Sequence, residues 1–364
     1  MKILIIQDRL RSGGTERQSV LLANAFAASG HATTLLTFRP GGALAGTVAS
    51  AVTRRVLQPF DTRCDWFAPR LYRGIAATGP EVILCMGRMA NCYAGGLQER
   101  FPSTAVIATM RTGKKLPRLF RRSLGIVRQV VANSHEARAT VVESYAVAPE
   151  RVSVIHNSLV FSPAPESGAR EKIRANHGAT AKTTVLLCVA MFRPEKNQRE
   201  LIEIVAKLPT NLDWQLWLGG DGPARPTCEK LVAAKSLGAN VRFLGWQRDP
   251  SPLYAAADFA VHASSSEALS NFLIEAQASG LPTIAYKAQG IAECFVPEDT
   301  GFVIPRDDRG AFCRKIVELA GAAPSAQAAR AERARQFART TFDHDQQIAR
   351  YLELFSRLIP EQSR

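Results

Sequence analysis

Glu267 and Glu275, separated by seven residues within the stretch Ser264–Pro282, are the pair of side chains best placed to do chemistry. The stretch opens as a polar loop after a strand that ends at His262. Ser270 and Asn271 suit a helix cap, Phe272–Ala278 has helix-forming composition, and Gly280 stops it. A helix N-terminus presents free N–H groups to an anion such as a diphosphate. Glu275, one turn inside, would then reach a ribose lying beside that phosphate. A carboxylate that accepts from both ribose hydroxyls serves nucleotide sugars and dinucleotides alike. Glu267 would face the other end of the ligand. The same spacing also fits two solvated helix-end glutamates.

The neighbouring blocks favour the ligand reading. Arg193 and Lys196, in Phe192–Asn197, follow an apolar run at Val185–Met191 and precede an amphipathic helix. Cations at such a turn can clamp a departing diphosphate. Gly219–Pro223 follows the next strand, Trp214–Leu218, and its Gly220 permits close backbone approach to a ligand. Gly290 and Glu293 come after the strand that follows the glutamate helix.

These residues need a scaffold that ends many strands on one side. Apolar, β-rich runs occur in the first half at Lys2–Gln7, Thr33–Phe38, Val82–Met86, Ala105–Thr109, Gln129–Ala132 and Val152–Ile155. Matching runs in the second half are Thr184–Ala190, Trp214–Leu218, Val241–Leu244, Phe259–Val261, Thr283–Ala285 and Phe302–Ile304. Helical spacing fills the gaps, as in Thr15–Ser29, where Val20, Leu21, Leu22, Ala25 and Phe26 form the apolar set. Alternation of this kind predicts parallel sheets built from βαβ units. A chain of 364 residues with a Pro/Gly/Ser stretch at Ser162–Ala169 predicts two doubly wound α/β domains. The first is expected over residues 1–160, completed by a C-terminal helix at about 343–360, and the second over 173–342. Ligands in such sheets bind at the carboxyl ends of the strands.

The order of the blocks resembles the retaining nucleotide-sugar glycosyltransferases of family 4, which have the GT-B architecture of two Rossmann-like domains. Its marks run along nearly the whole chain: Gly13–Glu16, Asn133–Glu136, His156–Ser158, Arg193–Lys196, Gly220–Pro223, Glu267 with Glu275, and Gly290 with Glu293. The resemblance implies that Glu275 binds the donor ribose and that Glu267 lies beside the donor sugar. It implies that Lys196 and Arg193 hold the diphosphate, helped by the backbone of Ala268, Leu269, Ser270 and Asn271. Gly13 and Gly14 would let the first loop approach the phosphates, Gly220 would line the donor site, and Glu293 would support the loop around it. Lys196, Arg193 and Glu267 are the expected catalytic set. The implied reaction retains anomeric configuration by front-face displacement, with no metal and no cofactor beyond the nucleotide-sugar co-substrate. Met191 stands where the family places its diphosphate arginine, and Ala268 where a glycine often follows the first glutamate. Met110 and Arg111 occupy a stretch where a histidine is common. Arg111, with Arg88 and Lys114, is therefore expected on the side of a glycan or lipid-linked acceptor, of the kind met in cell-envelope polysaccharide synthesis.

Charge points the same way. The formal net charge is +14, and residues 1–160 carry +12 of it, from 21 basic and 9 acidic side chains. The segment Arg111–Arg128 has seven cations and no carboxylate, with Leu116, Leu119, Phe120 and Leu124 among them. That composition suits an interfacial patch on an anionic membrane, or an amphipathic helix packed on a sheet with a basic outer face. Nucleic acid is not the expected partner, because aromatics are only 7% and thin among the arginines. The seven scattered cysteines lack any CxxC pair and read as buried small hydrophobes in a reducing compartment. The start reads as a first strand rather than a signal peptide, so a cytoplasmic protein, peripheral on the inner face of the membrane, is expected. The six histidines show no metal-ligand spacing, and Asp343 with Asp345 reads as a helix start. A dinucleotide oxidoreductase is disfavoured, since no G-x-G-x-x-G follows the first strand. A GT-B epimerase or a non-catalytic sugar-nucleotide binder remains the alternative.

Overall fold

The computed structural model describes residues 1–161, 166 and 168–359. Most of the linker expected at Ser162–Ala169 lies outside them; its Gly168, at positive φ, is the N-cap of a helix that starts at Ala169. Two compact units result, one of Met1–Ser158 with the segment from His344, the other of Leu159–Asp343.

The first unit holds β1 (Lys2–Gln7), α1 (Gly14–Ala28), β2 (Ala32–Thr37), β3 (Thr53–Val56), α2 (Leu71–Ala76), β4 (Val82–Cys85), α3 (Arg88–Arg100), β5 (Ala105–Met110), α4 (Arg118–Ile126), β6 (Gln129–Ala132), α5 (His135–Tyr145) and β7 (Val152–Val154). Its sheet is parallel throughout, in the order β3-β2-β1-β4-β5-β6-β7. The direction of winding therefore reverses between β1 and β4. The central strands are buried on both faces, which is why they read as continuous apolar runs. β3 escaped the sequence reading because its four residues, Thr-Arg-Arg-Val, are all exposed at the sheet edge. Arginines there discourage pairing with another chain.

The second unit holds α6 (Ala169–Asn176), β8 (Thr184–Val189), α7 (Gln198–Val205), β9 (Trp214–Gly219), α8 (Arg225–Ala234), β10 (Val241–Gly245), α9 (Ser251–Ala256), β11 (Phe259–His262), α10 (Asn271–Ala278), β12 (Thr283–Tyr286), β13 (Gly301–Ile304), α11 (Arg309–Ala320) and α12 (Pro324–Thr341). Its parallel sheet runs β10-β9-β8-β11-β12-β13 and reverses between β8 and β11. The helical C-terminal stretch is broken at Phe342–Asp343. α12 stays with the second unit, and α13 (His344–Leu358) returns to the first.

In the first unit α2–α5 cover one face of the sheet, and α1 with α13 cover the other. Phe26 of α1 meets Tyr351 and Phe355 of α13 edge-on, at ring-centroid distances of 6.1 and 5.4 Å. Phe355 is fully buried, so its truncation loses both transfer energy and packing. Phe355→Ala is expected to destabilise this unit by about 3–5 kcal/mol. Urea unfolding followed by circular dichroism checks it; a loss below about 1 kcal/mol would mean that α13 is not part of the core.

Candidate functional site

In the second unit the predicted residues collect at the carboxyl ends of strands flanking the β8/β11 reversal. After β8 the chain turns through a short 3-10 helix, Pro194–Lys196, with Arg193 as its extended N-cap. Gln198 fixes that turn by donating to the carbonyls of Ala190 and Met191, at 3.3 and 3.1 Å. After β11 the serine loop is pinned to the same turn. The Ser265 N–H and the Ser264 hydroxyl both donate to the Glu195 carbonyl, at 2.8 and 3.0 Å, and Arg306 donates to the Ser265 carbonyl.

This pinning brings Lys196 to Glu267. Lys196 Nζ lies 2.5 Å from Glu267 Oε1, and His262 Nε2 lies 2.8 Å from the same oxygen. Glu267 and His262 are both buried. Burial alone would raise the Glu267 pKa, but the Lys196 charge and the His262 hydrogen bond outweigh it and hold the carboxyl down at about 2. Burial lowers the His262 pKa against the pull of Glu267, so the imidazole is neutral. Nε2 must then carry the hydrogen that the carboxylate accepts.

Ser270 is the N-cap of α10, as predicted, yet its side chain makes no capping bond. Ala268, Leu269 and Ser270 are buried, and Asn271 opens the helix half-buried. Glu275 is half-buried one turn in, where the Tyr254 hydroxyl donates to its Oε2 at 2.6 Å. Tyr254 stacks on Phe272; nothing in its local sequence signalled it. The glycines have steric reasons. Gly220 has φ +131°, and a Cβ there would sit 2.1 Å from the Ala190 carbonyl oxygen. Gly290 has φ +70°, and its Cβ would sit 1.8 Å from the Ala268 oxygen. The two glycines thus let the β9 and β12 loops close on the β8 turn and the serine loop. Glu293 lies in the short 3-10 helix Ala292–Cys294 beyond Gly290.

In the first unit, Gly13 caps α1 and Gly14 opens it. Asp8, which the sequence reading passed over, ends up at the β1/β4 reversal. The N–H groups of Met89 and Ala90, at the start of α3, donate to its carboxylate at 3.0 and 2.9 Å. Burial nevertheless pushes this carboxyl up to about 6. Arg88 and Lys114 are exposed. Arg111 is used inside the unit, since its guanidinium donates to Asn157 Oδ1 at 2.5 Å and to the Tyr351 hydroxyl at 2.7 Å. That tie joins the end of β5 to the 156–158 motif and to α13.

The basic segment needs a correction. Leu116, Phe120 and Leu124, expected among residues free to enter a membrane, are buried in the core; only Leu119 of the four is exposed. Phe120 and Leu124 fall on one side of α4 because they are spaced by four residues, and Leu116 joins the same core from the segment just before the helix. Arg118, Arg121 and Arg122 face solvent. No helix among the described residues is long and apolar enough to cross a membrane.

Two family profiles match this chain: residues 12–159 match Glycosyltransferase Family 4, and residues 169–337 match Glycosyl transferases group 1. The chain belongs to the family 4-type glycosyltransferases of GT-B fold. The lipopolysaccharide core biosynthesis glycosyltransferase LpsE of Rhizobium meliloti is 34% identical over 146 residues, covering 40% of this chain and 42% of that protein. The chain spans about two fifths of the length of the first curated relatives it matches. Among solved structures, Anabaena HepE in complex with UDP-glucose superposes with a TM-score of 0.83 at 21% identity, over 97% of this chain and 99% of that one. A glycosyltransferase from Rickettsia africae gives 0.84 at 20% identity, over 99% of each chain. At these identities the two structures establish the shared fold.

The Glu267 cluster has a measurable consequence. Its folded pKa of about 2 lies below the ordinary 4.5. Its stabilisation is therefore complete above the unfolded value and disappears as pH falls through the folded one. Glu267→Gln is expected to be less stable than the wild type at neutral pH, with the gap closing between about pH 4.5 and 2. Urea midpoints across that range test this; a gap independent of pH would remove the ionised carboxylate from the cluster.

Proposed function

We propose that this protein is a retaining glycosyltransferase that moves a sugar from a nucleotide-diphosphate sugar to a lipid-linked or lipopolysaccharide-type acceptor. The observation that carries the reading is the Lys196–Glu267 pair at the β8/β11 reversal, with Glu275 on the helix that follows. A cation at this crevice suits a diphosphate, and a half-buried carboxylate one turn into α10 suits a ribose. The UDP-glucose held by Anabaena HepE and the core-lipopolysaccharide role in the name of the Rhizobium protein support the donor and acceptor classes.

In the proposed reaction the acceptor oxygen attacks the anomeric carbon on the face that the diphosphate leaves. The bond from that carbon to the diphosphate oxygen breaks, and this oxygen takes the acceptor proton. Lys196 and Arg193 stabilise the growing negative charge, which is electrostatic catalysis and positioning rather than side-chain acid–base work. With that charge met by side chains, we propose that no metal is required. The exposed cations of α4 are proposed to meet an anionic membrane surface. Leu119 and the exposed Trp66, Phe67 and Tyr72 are among the apolar side chains available to it. Segment 66–72 and α4 both pack on α3, through Tyr93 and Gly96 on one side and Cys92 and Gly95 on the other.

Transfer from UDP-sugars, with the anomeric configuration of the product read by NMR, tests the reaction. Inversion, epimerisation or nucleotide binding without transfer would each replace it. Glu275→Ala is expected to weaken UDP binding by on the order of 2–4 kcal/mol, because hydrogen bonds to a charged acceptor are lost. Lys196→Ala should lower kcat more than donor affinity, and activity should persist in EDTA. For the surface, replacing Arg118, Arg121 and Arg122 by Glu should strongly reduce sedimentation with anionic vesicles, at about 1 kcal/mol per cation, without changing UDP affinity. Wild-type protein that ignores such vesicles at low salt would assign the basic face to a soluble anionic acceptor instead.

A further inference from the structure

The reading of the donor site leaves His262 unexplained. It is the last residue of β11, its side chain is 1% exposed, and its ring lies against Phe272 at a centroid distance of 5.6 Å. Its Nδ1 is buried and has no hydrogen-bond partner among the described residues. An apolar side chain of similar size would fill this space without an unmet acceptor. What the imidazole gains in exchange is the bond from Nε2 to Glu267 Oε1.

That bond matters because of what it shares. Lys196 Nζ and His262 Nε2 converge on one oxygen of one buried carboxylate. Lys196 supplies the countercharge. A cation that turns toward a diphosphate spends its charge there, and a buried carboxylate that loses its countercharge takes up a proton or moves. The groups facing the imidazole are Glu267 on the serine loop, Lys196 on the 3-10 helix and the Phe272 ring of α10. The nearby Cys188 of β8 is a buried thiol, raised to about 12 and so uncharged. No second cation is in this set, so the imidazole is the remaining donor.

We propose that His262 is a positioning residue: its Nε2–H holds the Glu267 carboxylate in place when Lys196 turns to the diphosphate of the donor. The proposal rests on the donor-site reading above. It makes Lys196 free to follow the ligand while Glu267, beside the sugar, stays fixed at the end of β11. Histidine suits the task because burial keeps it neutral, so it donates a hydrogen bond without adding a charge that would compete for the diphosphate.

The test is calorimetric titration of UDP into the full chain, in buffers of differing ionisation enthalpy near neutral pH. Wild type should bind UDP with almost no proton uptake. His262→Leu should take up close to ~1 proton per UDP bound, with affinity rising as pH falls. His262→Gln, whose amide can donate to the same oxygen, should return toward wild type. In transfer assays His262→Leu should lose about 10–100-fold in kcat with donor KM little changed, and His262→Gln should recover most of it. Melting curves of the variants establish that each is folded, and His262→Gln keeps the test intact if the leucine variant is not. Should UDP bind His262→Leu without proton uptake and with wild-type turnover, the positioning role is overturned. Should wild type not bind UDP at all, the donor-site reading itself falls, a result distinguishable from the first.

Discussion

The second unit is organised by the need to keep the Glu267 carboxylate charged in a buried place. An unpaired carboxylate there costs several kcal/mol, so its partners must arrive at fixed positions. Lys196 comes from the turn after β8, His262 from the end of β11, and Glu267 itself from the loop beyond. The backbone bonds from Ser264 and Ser265 to Glu195 hold these segments together, and Arg306 braces them. Gly220 and Gly290 belong to the same construction, because any side chain at either would push the loops apart. The site is thus a property of the strand ends, and it sits at the reversal of winding, where the helices diverge and leave room.

The first unit solves a different electrostatic problem. Several of its carboxylates are taken up by internal partners. Asp61 and Asp65 receive the buried Arg39, together with Arg9 and Arg11. Asp8 receives the N-terminus of α3, where the free N–H groups of the helix favour a carboxylate even though burial opposes its charge. Among the described residues the cations of α4 have almost no such partners; Arg122 lies 3.6 Å from Glu99, both well exposed. A strongly positive exterior on α4 follows from this unequal use of the acids, and that exterior is where the basic composition of the first half becomes a surface property.

The central strands were legible because parallel strands covered on both faces are apolar along their whole length, and the half-buried edge strands β7 and β10 kept enough apolar residues to be read as well. Glu267, Glu275, Lys196 and the glycines were legible as well, since each sits at a fixed offset from the end of such a strand. β3 was not, because an exposed edge strand is under no pressure to be apolar. The fate of Phe120 and Leu124 was written in their four-residue spacing, which places them on one face of a helix, whereas Leu116 is buried from the segment before it. Composition alone left open whether they met a membrane or the sheet.

What the sequence determined by itself was the alternation of strand and helix, and with it the ends at which ligand-binding residues must lie. The tertiary structure decided which distant side chains share an atom. His262, Lys196 and Glu267 are separated by up to 71 positions and meet on one oxygen. Tyr254 reaches Glu275 from α9, and Arg111 reaches Tyr351 across 240 positions. Local pattern records period and propensity, both properties of neighbours in the chain. Contacts such as these depend on the order in which strands lie side by side, and that order is set by packing of the whole sheet.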